Sequence, residues 1–250
     1  MPAPSTHSSL AQSYDERTST YQTFGNNALL QVVRRVLPRE GAVLDVGCAS
    51  GGLLAGLRDV AARRVGVEIS SSAAAAAAAE ADKVVVGDIA DPALSLDGEQ
   101  FDVVVLADVV EHTVDPHKTL ELVRRHCKPT GRIVVSVPNV AHWAMRWQLA
   151  RGRWDYTESG VLDRSHLRFF TRTSVVDAIV DAGYAVEDVT VIVPRLRNHV
   201  ALLRRAPKRL DATVERWWQR LGRRRPGLFG YQLLVVAGVA AAQPEPRRAP

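Results

Sequence analysis

The sequence predicts an α/β fold whose central sheet is mainly parallel and is covered by helices on both faces. Short Val-rich runs, which are typical of buried strands, recur along the first 138 residues, and amphipathic or Ala-rich stretches separate them. The chain has 250 residues, of which 46% are hydrophobic and 24% charged, so it can bury one sizeable core. A sheet of this kind binds ligands at the carboxyl ends of its strands.

Seven strands are expected in all. The first five are predicted at 43–47, 64–68, 83–87, 101–106 and 131–137, and the helices between them at 51–62, 70–81 and 114–126. The Ala-rich run at 70–81 begins with serines, which are preferred at helix N-caps. A further helix at 172–182, an alternating strand at 184–194 and a last strand at 229–238 complete the fold.

The chain is divided into an N-terminal lid or helical segment at 1–38, a main domain at 39–240 and a Pro-rich tail at 241–250 that we expect to be disordered. Two segments interrupt the main domain. Residues 139–165 form an irregular insert rich in Trp and Arg. Residues 195–226 contain eleven Arg and Lys against Asp211 and Glu215, although the net charge of the whole chain is only +5.

Composition also indicates where the protein works. Two cysteines, Cys48 and Cys127, cannot form a disulfide scaffold, which favours a reducing cytoplasm. The longest apolar stretch, near 228–242, is shorter than the ~20 residues needed to span a bilayer, so no transmembrane segment is expected. We therefore predict a soluble cytoplasmic protein.

The turn after the first strand, "VLDVGCASGG", is rich in small residues. Asp45 lies near the end of the strand, and Gly47, Ala49 and Gly51 follow in the turn, where they allow a ligand close to the backbone. Because no Lys followed by Ser or Thr comes next, the turn is not the phosphate-binding loop of a nucleotide triphosphatase.

Acidic residues follow successive strands. Asp45, Glu68, Asp88 and Asp108 are spaced 23, 20 and 20 residues apart, which predicts four carboxylates along one edge of the sheet. Such an edge suits a ligand with an amino group, a ribose diol and an adenine amine but no phosphate. Glu68 is placed to accept from both ribose hydroxyls. The alternative is that all four are ordinary acids of strand-end turns.

The ordered set of motifs resembles the class I S-adenosylmethionine-dependent methyltransferases, in the small-molecule group that includes ubiquinone-biosynthesis O-methyltransferases. The resemblance spans about 40–193 and the last strand, with Ala49 where these enzymes commonly have glycine. It implies a Rossmann-like fold with a seven-stranded, mostly parallel sheet and an antiparallel last strand, and S-adenosylmethionine as cofactor. It is carried by "VLDVGCASG", "VGVEIS", "VVGDI", "FDVVVLADVVEHTVDP", "GRIVVSVPN" and "LDRSHLRFFTRTSVVDAIVDAGY".

The resemblance also implies which residues bind this cofactor. The methionine end would be lined by Asp45, Gly47, Cys48, Ala49 and Gly51, the ribose and adenine by Glu68, Ile69, Asp88 and Ile89, and the sulfonium region by Ala107 and Asp108. Tyr14 and Tyr21 are candidates for an N-terminal lid, although single tyrosines are more often ordinary core or surface residues.

Three histidines are candidate catalytic bases. Methyl transfer is an in-line displacement, and a hydroxyl acceptor usually needs a group that takes its proton. His112 follows the fourth strand, His142 begins the insert and His166 comes where the chain re-enters the core. Alternatively, His112 orients the next helix and His166 only bonds a backbone carbonyl.

A metal site is a further hypothesis for the same region. Plant small-RNA 2′-O-methyltransferases bind a divalent ion through a similar acid-x-x-Glu-His stretch and a later His, and the matching residues are Asp108, Glu111, His112 and His166. Because Glu-His is widespread at this point in related enzymes, we expect no metal. We interpret Glu111 as an acid at the start of the following helix, where it suits the helix dipole.

The two inserted segments bear on the substrate and partners. In 139–165 three tryptophans alternate with arginines, which suits a planar or sugar-like acceptor with negative charge, unless the tryptophans only pin the segment and the arginines face solvent. The basic 195–226 segment, with Trp217 and Trp218, predicts an amphipathic helix for nucleic acid, an anionic membrane surface or a phosphorylated carrier, or simply a solvated face. It carries no recognised nucleic-acid motif.

We therefore predict methylation of a small molecule, such as a saccharide or natural-product intermediate, with O-methylation favoured. The alternatives are an RNA methyltransferase that uses the basic segment and a cofactor-binding protein without transferase activity.

Overall fold

The computed structural model describes residues 26–194 and 208–240, and its centre is a seven-stranded sheet. The strands are β1 (Gly41–Val46), β2 (Ala61–Glu68), β3 (Lys83–Val86), β4 (Phe101–Ala107), β5 (Cys127–Pro138), β6 (Tyr184–Ile192) and β7 (Gln232–Val239). They lie in the order β3-β2-β1-β4-β5-β7-β6. Strands β1 to β5 pair in parallel, whereas β7 is antiparallel to both β5 and β6. The predicted fold class is confirmed, including its antiparallel last strand.

Helices connect the strands. They are α1 (Asn26–Val36), α2 (Gly52–Gly56), α3 (Ser71–Ala77), α4 (Pro116–Arg124), α5 (Trp143–Ala150), α6 (Arg172–Asp181), α7 (Lys208–Arg224) and α8 (Pro226–Phe229), with a 3₁₀ turn at Val110–His112. None of the helices in the described part of the chain combines the length and the apolar character needed to cross a bilayer.

The core consists of two apolar layers, one on each face of the sheet. Successive strand residues point to opposite faces, so Val43 and Leu44 of β1 belong to different layers. The layer of Val43 includes side chains from α1, α2 and α3, and the layer of Leu44 includes side chains from α4 and α6. Because both faces are covered, the strands can be almost wholly apolar, and polar side chains collect at the strand ends.

Side-chain caps fix where several helices begin. The Ser70 hydroxyl accepts from the amide of Ala73 at the start of α3, as the serines at 70–72 predict. The Asp115 carboxylate accepts from the amide of Lys118 at the start of α4, and Pro116 occupies its first turn. Capping therefore places the start of α4 at residue 116 and not within the preceding Glu111 segment.

Several predicted boundaries differ from the observed ones. The helix expected at 51–62 ends at Gly56 because β2 already begins at Ala61. The last strand begins at Gln232, not 229, because Pro226–Phe229 form α8. The insert at 139–165, expected to be irregular, contains α5.

Parts of the predicted domain organisation lie outside the described residues. These are Tyr14 and Tyr21 of the proposed lid, residues 195–207 of the basic segment and the tail at 241–250. From the N-terminal segment, residues 26–36 form α1, whose Leu29, Val32 and Val33 are buried in the core.

Candidate functional site

Four carboxylates lie at one edge of the sheet. Asp45 is the next-to-last residue of β1, and Glu68 is the last residue of β2. Asp88 follows β3, and Asp108 follows β4. Because these strands are neighbours and run in parallel, their carboxyl ends form one continuous edge, along which the acids occur in the order 88, 68, 45, 108. The structure therefore brings together the four acids that the sequence spacing singled out.

The turn from β1 into α2 requires small residues. Gly47 and Gly51 have positive φ angles of 69° and 82°, and a Cβ on Gly47 would lie 2.9 Å from a Val109 methyl carbon. Ala49 has a φ of 47°, in the left-handed region that costs an L-residue roughly 1–2 kcal/mol. The Ala49 backbone is thus held in a conformation that glycine adopts more easily.

Glu68 holds this turn in place. Its two carboxylate oxygens accept from the backbone amides of Ala49, at 2.8 Å, and Ser70, at 2.9 Å. The amides of Gly47 and Cys48 both donate to the Val67 carbonyl one residue earlier. A carboxylate has about four lone-pair sites, so these two bonds leave Glu68 able to accept from further hydroxyl groups.

Asp45 is the most strongly perturbed acid of this edge. It is buried, and burial together with the nearby charge of Glu68 raises its pKa to about 8. The same burial, with the charges of Asp45 and Glu68, raises the pKa of the Cys48 thiol, so Cys48 is protonated and unreactive at neutral pH. A cation bound beside Asp45 would restore the charged carboxylate.

The expected adenine side of the edge is formed by the turns after β2 and β3. One carboxylate oxygen of Asp88 accepts from the amide of Ala90 at 2.8 Å, which rigidifies the turn. Ile69 is half-buried, whereas Ile89 is 6% exposed and contacts the core layer of Leu44. Their contacts with an adenine ring remain predictions, as does that of Ala107 with the sulfonium region.

Asp108 is held by residues that sequence reasoning missed. The Gln232 side-chain amide donates to Asp108 Oδ1 and to Ser136 Oγ, both at 2.6 Å, and Asp108 has a left-handed φ of 54°. Loss of solvent raises the pKa of Asp108 to about 6. A glutamine inside the otherwise apolar run "YQLLVV" was the available signal, because a polar residue there needs a partner.

Glu111 is buried beside Asp108, which contradicts its interpretation as an acid at the start of a helix. Its side chain is 1% exposed within the 3₁₀ turn, and neither carboxylate oxygen has a hydrogen-bond partner among the described residues. Burial and then the charge of Asp108 raise its pKa well above the usual range. Without a cation beside it, this environment therefore favours the neutral form of Glu111 over the carboxylate.

Two of the three candidate histidines meet next to Glu111. The ring centroids of His112 and His166 are 4.8 Å apart, although the residues are far apart in sequence. The link is made by backbone amides of Leu167 and Arg168, which both donate to the Glu111 carbonyl. These bonds clamp the loop around His166 onto the 3₁₀ turn.

Backbone carbonyls orient both imidazoles. Nδ1 of His112 lies 3.2 Å from the Ser165 carbonyl, and Nδ1 of His166 lies 3.1 Å from the Val161 carbonyl. We therefore assign the proton of each neutral ring to Nδ1, so that Nε2 carries the basic lone pair. Burial lowers the pKa of His166, which keeps this imidazole neutral.

His142 is not placed with the other two histidines. It is fully buried, and its Nδ1 accepts from the Ala144 amide at 3.4 Å where α5 begins. Its ring lies 5.5 Å from that of Tyr231. The geometry gives His142 a structural role at the helix start, and a catalytic role for it stays a prediction.

One group of side chains could hold a metal ion. Ligand atoms of Glu111, His112 and His166 all lie within 4.8 Å of one another. Neutral imidazoles whose other ring nitrogen bonds a carbonyl are common metal ligands, and a buried carboxylate completes a plausible donor set. Asp108, the fourth residue of the metal hypothesis, is not part of this group and bonds Gln232 instead.

The tryptophans of the insert have three different surroundings. Trp154 packs edge-on against Phe169 at 5.3 Å, and Phe169 lies 6.3 Å from His166, which makes an aromatic wall beside the histidines. Trp143 packs against Trp218 of α7, and Trp147 is 56% exposed. Only Trp154 therefore approaches the candidate site.

The arginines of the insert already have partners within the chain. Arg146 donates to the Ala141 carbonyl, Arg151 stacks over Trp147 at 4.4 Å, and Arg153 pairs with Asp155 at 2.6 Å. They are exposed or bound locally, which does not favour the prediction that they bind a negatively charged acceptor.

Comparison with known proteins adds independent observations. A family model described as "Methyltransferase domain" matches residues 21–189. The "Ubiquinone biosynthesis O-methyltransferase" of Cereibacter sphaeroides (strain ATCC 17029) is 30% identical over 163 residues, 59% of this chain and 62% of that protein. The chain thus spans less than two thirds of the length of this curated relative.

Solved structures share the fold at low sequence identity. A possible histamine N-methyltransferase from Thermotoga maritima, described as S-adenosylmethionine-dependent, superposes with a TM-score of 0.63 at 17% identity, covering 92% of this chain and 99% of that one. The [4+2]-cyclase SpnF superposes with a TM-score of 0.62 at 16% identity, covering 97% and 99%. Because the second catalyses a cyclisation according to its name, the fold by itself does not establish the reaction.

Proposed function

The chain belongs to the methyltransferase-domain family, and on that premise we propose that it transfers the methyl group of S-adenosylmethionine to a hydroxyl group of a small molecule. A saccharide or a natural-product intermediate is the proposed acceptor. The observation that carries the proposal is the contact between His112 and His166, because His112 lies in the 3₁₀ turn that follows Asp108, the last carboxylate of the sheet edge. A pair of oriented imidazoles at this place supplies the base that a hydroxyl acceptor needs.

The sheet edge fits the cofactor by the chemistry of its donors. Glu68 retains acceptor capacity for the two ribose hydroxyls of the cofactor. Burial and the charge of Glu68 raise the pKa of Asp45 to about 8, and the ammonium group of the cofactor would supply the positive charge that stabilises the Asp45 carboxylate. The small residues Gly47, Ala49 and Gly51 keep the turn narrow. S-adenosylmethionine, when bound, supplies a methyl group activated by its sulfonium.

The chain's own residues position the acceptor and move its proton. The edge-to-face pair of Phe169 and Trp154 offers an aromatic ring against which a planar ring or the face of a sugar can stack. Nε2 of His166 or His112 takes the hydroxyl proton as the oxygen bonds to the methyl carbon and the carbon–sulfur bond breaks. Asp108, fixed by Gln232, keeps a carboxylate next to this centre.

The name of the Cereibacter relative supports O-methylation, since that protein is described as an O-methyltransferase. Arg146, Arg151 and Arg153 contact groups within the insert. We therefore favour a neutral acceptor over an anionic one.

The test is transfer of tritiated methyl groups from S-adenosylmethionine to a panel of neutral sugars, phenols, amines and RNA, with Glu68→Ala as the blank. We expect label on a hydroxyl-bearing small molecule and none in the blank. Label on amines or RNA alone, or no label on any compound class with the cofactor bound, would contradict the proposal.

A further inference from the structure

Helix α7 presents two different faces. Its inner face is fixed to the chain segment after β6: the Trp218 indole donates to the Pro194 carbonyl and the Gln219 amide to the Val193 carbonyl, both at 3.0 Å. Gly222 lies so close to Val193 that a Cβ would approach a methyl carbon to 2.4 Å. The helix is thus anchored, and its opposite side is held in a defined orientation.

The outer face of α7 consists of Val214, Trp217, Arg220 and Arg224. Trp217, Arg220 and Arg224 follow at i, i+3 and i+7, which places them along one side of a helix. Trp217 is 61% exposed and Val214 is 38% exposed, while both arginines are exposed to solvent. An exposed indole followed by two guanidinium groups along one side of the helix is the central feature of this face.

The arginines of this face lack carboxylate partners among the described residues. Elsewhere, surface arginines such as Arg34, Arg58 and Arg132 each form an ion pair with an acid. No such pair involves Arg220 or Arg224 among the side chains that the structure describes, which exclude those of 208–212 and 223. The positive charge of the outer face is therefore available to an external anion.

We propose that the outer face of α7 binds the surface of a bilayer that contains anionic phospholipid. A basic amphipathic helix lies in the interfacial plane with its aromatic and aliphatic side chains among the headgroups, and its arginines contact lipid phosphates. The exposed indole of Trp217 favours a membrane over nucleic acid, because Val214 and Trp217 gain from the acyl boundary but not from a phosphate backbone.

The proposal concerns a surface that is separate from the cofactor edge, so its test does not depend on the methylation assay. The full chain is sedimented with vesicles of phosphatidylcholine alone and with vesicles that also contain phosphatidylglycerol. We expect binding only to the anionic vesicles, and we expect it to fall steeply as salt is raised, because salt screens the attraction between arginines and anionic headgroups.

Two variants and a control locate the binding surface. Arg220→Glu combined with Arg224→Glu, and separately Trp217→Ala, should each weaken vesicle binding by about tenfold or more, since about 1.4 kcal/mol corresponds to a factor of ten. Arg172→Glu on α6 reverses an exposed charge elsewhere and should leave binding unchanged. Unchanged unfolding midpoints and S-adenosylmethionine affinity show that the variants are folded.

Several outcomes would overturn the proposal. These are equal binding to neutral and anionic vesicles, no vesicle binding by the wild type, or undiminished binding by both α7 variants. Binding of RNA at physiological salt without vesicle binding would assign the surface to nucleic acid instead.

Discussion

At the scale of single residues, Asp45 at the carboxylate edge of the sheet is a buried acid with a strongly raised pKa. A carboxylate with a pKa of about 8 is neutral in much of the folded population at pH 7. Burial of an acid next to Glu68 therefore reduces the stability of the protein without its ligand. Perturbed groups of this kind concentrate at binding sites, where the ligand supplies the missing charge.

Asp45 predicts a specific pH dependence of stability. An unfolded aspartate titrates near 4, so between about pH 4 and 8 the folded chain binds more protons, and stability falls as the pH rises. Asp45→Asn should flatten this dependence, by up to about 1.4 kcal/mol per pH unit, in urea unfolding measured from pH 4 to 8. Asp59→Asn, an exposed partner of Arg34, is the control and should retain the wild-type slope. If the free energy of unfolding changed with pH at the same slope in Asp45→Asn and wild type, the raised pKa of buried Asp45 would be contradicted.

His166 carries the second prediction at this scale. Its lowered pKa keeps the imidazole neutral and basic at physiological pH. His166→Ala should lower kcat by roughly 100-fold or more with a hydroxyl acceptor, because general-base catalysis contributes 10²–10⁴-fold. The affinity for S-adenosylmethionine should stay unchanged, and His117→Ala on α4 should leave kcat unaltered. A kcat that is insensitive to His166→Ala would leave this side chain only a structural role.

At the scale of elements, the segment from the 3₁₀ turn to α4 contains two acids with different roles. One acid caps α4, and the other is buried. Asp115 and not Glu111 caps α4. We expect Asp115→Ala to cost about 1 kcal/mol in the free energy of unfolding, as loss of an N-cap does. Glu121→Ala in the middle of the same helix is the comparison and should cost much less. Equal losses for the two variants would show that the Asp115 bond does not stabilise the helix.

The backbone bonds between the 3₁₀ turn and the His166 loop bring three candidate metal ligands together, and a chelator can test whether they bind an ion. Burial and the charge of Asp108 raise the pKa of Glu111, so the carboxyl group of this cluster does not need an ion to balance its charge. We predict that methyl transfer survives dialysis against a strong chelator. Loss of activity that a divalent ion restores would instead establish a metal requirement, and binding of that ion by the wild type but not by His166→Ala would place the ion at this cluster.

At the scale of the whole molecule, local patterns predicted the sheet and the alignment of four acids along one of its edges. The Val-rich runs and the spacing of Asp45, Glu68, Asp88 and Asp108 are local in sequence, and parallel pairing alone brings the acids together. Strand and helix ends were less predictable because they depend on caps and neighbours, as when α8 delays the start of β7 to Gln232.

Contacts between distant segments were not predictable in the same way. Nothing local to His112 indicates that the Glu111 carbonyl binds the loop of His166, or that Gln232 reaches Asp108 from β7. Likewise, Glu111 has the sequence position of a helix-start acid, yet it is buried, and the distant residues Leu167 and Arg168 bond its carbonyl. Tertiary contacts, not propensity, decide these roles.

Binding of S-adenosylmethionine at the carboxylate edge can be measured by calorimetric titration of the full chain with this cofactor. We expect one cofactor per chain for wild type and for Glu121→Ala, and a loss of affinity of about tenfold or more for Glu68→Ala, which removes charge-assisted hydrogen bonds worth 1.5–3 kcal/mol. Absence of binding by the wild type, or equal affinity of wild type and Glu68→Ala, would contradict the account.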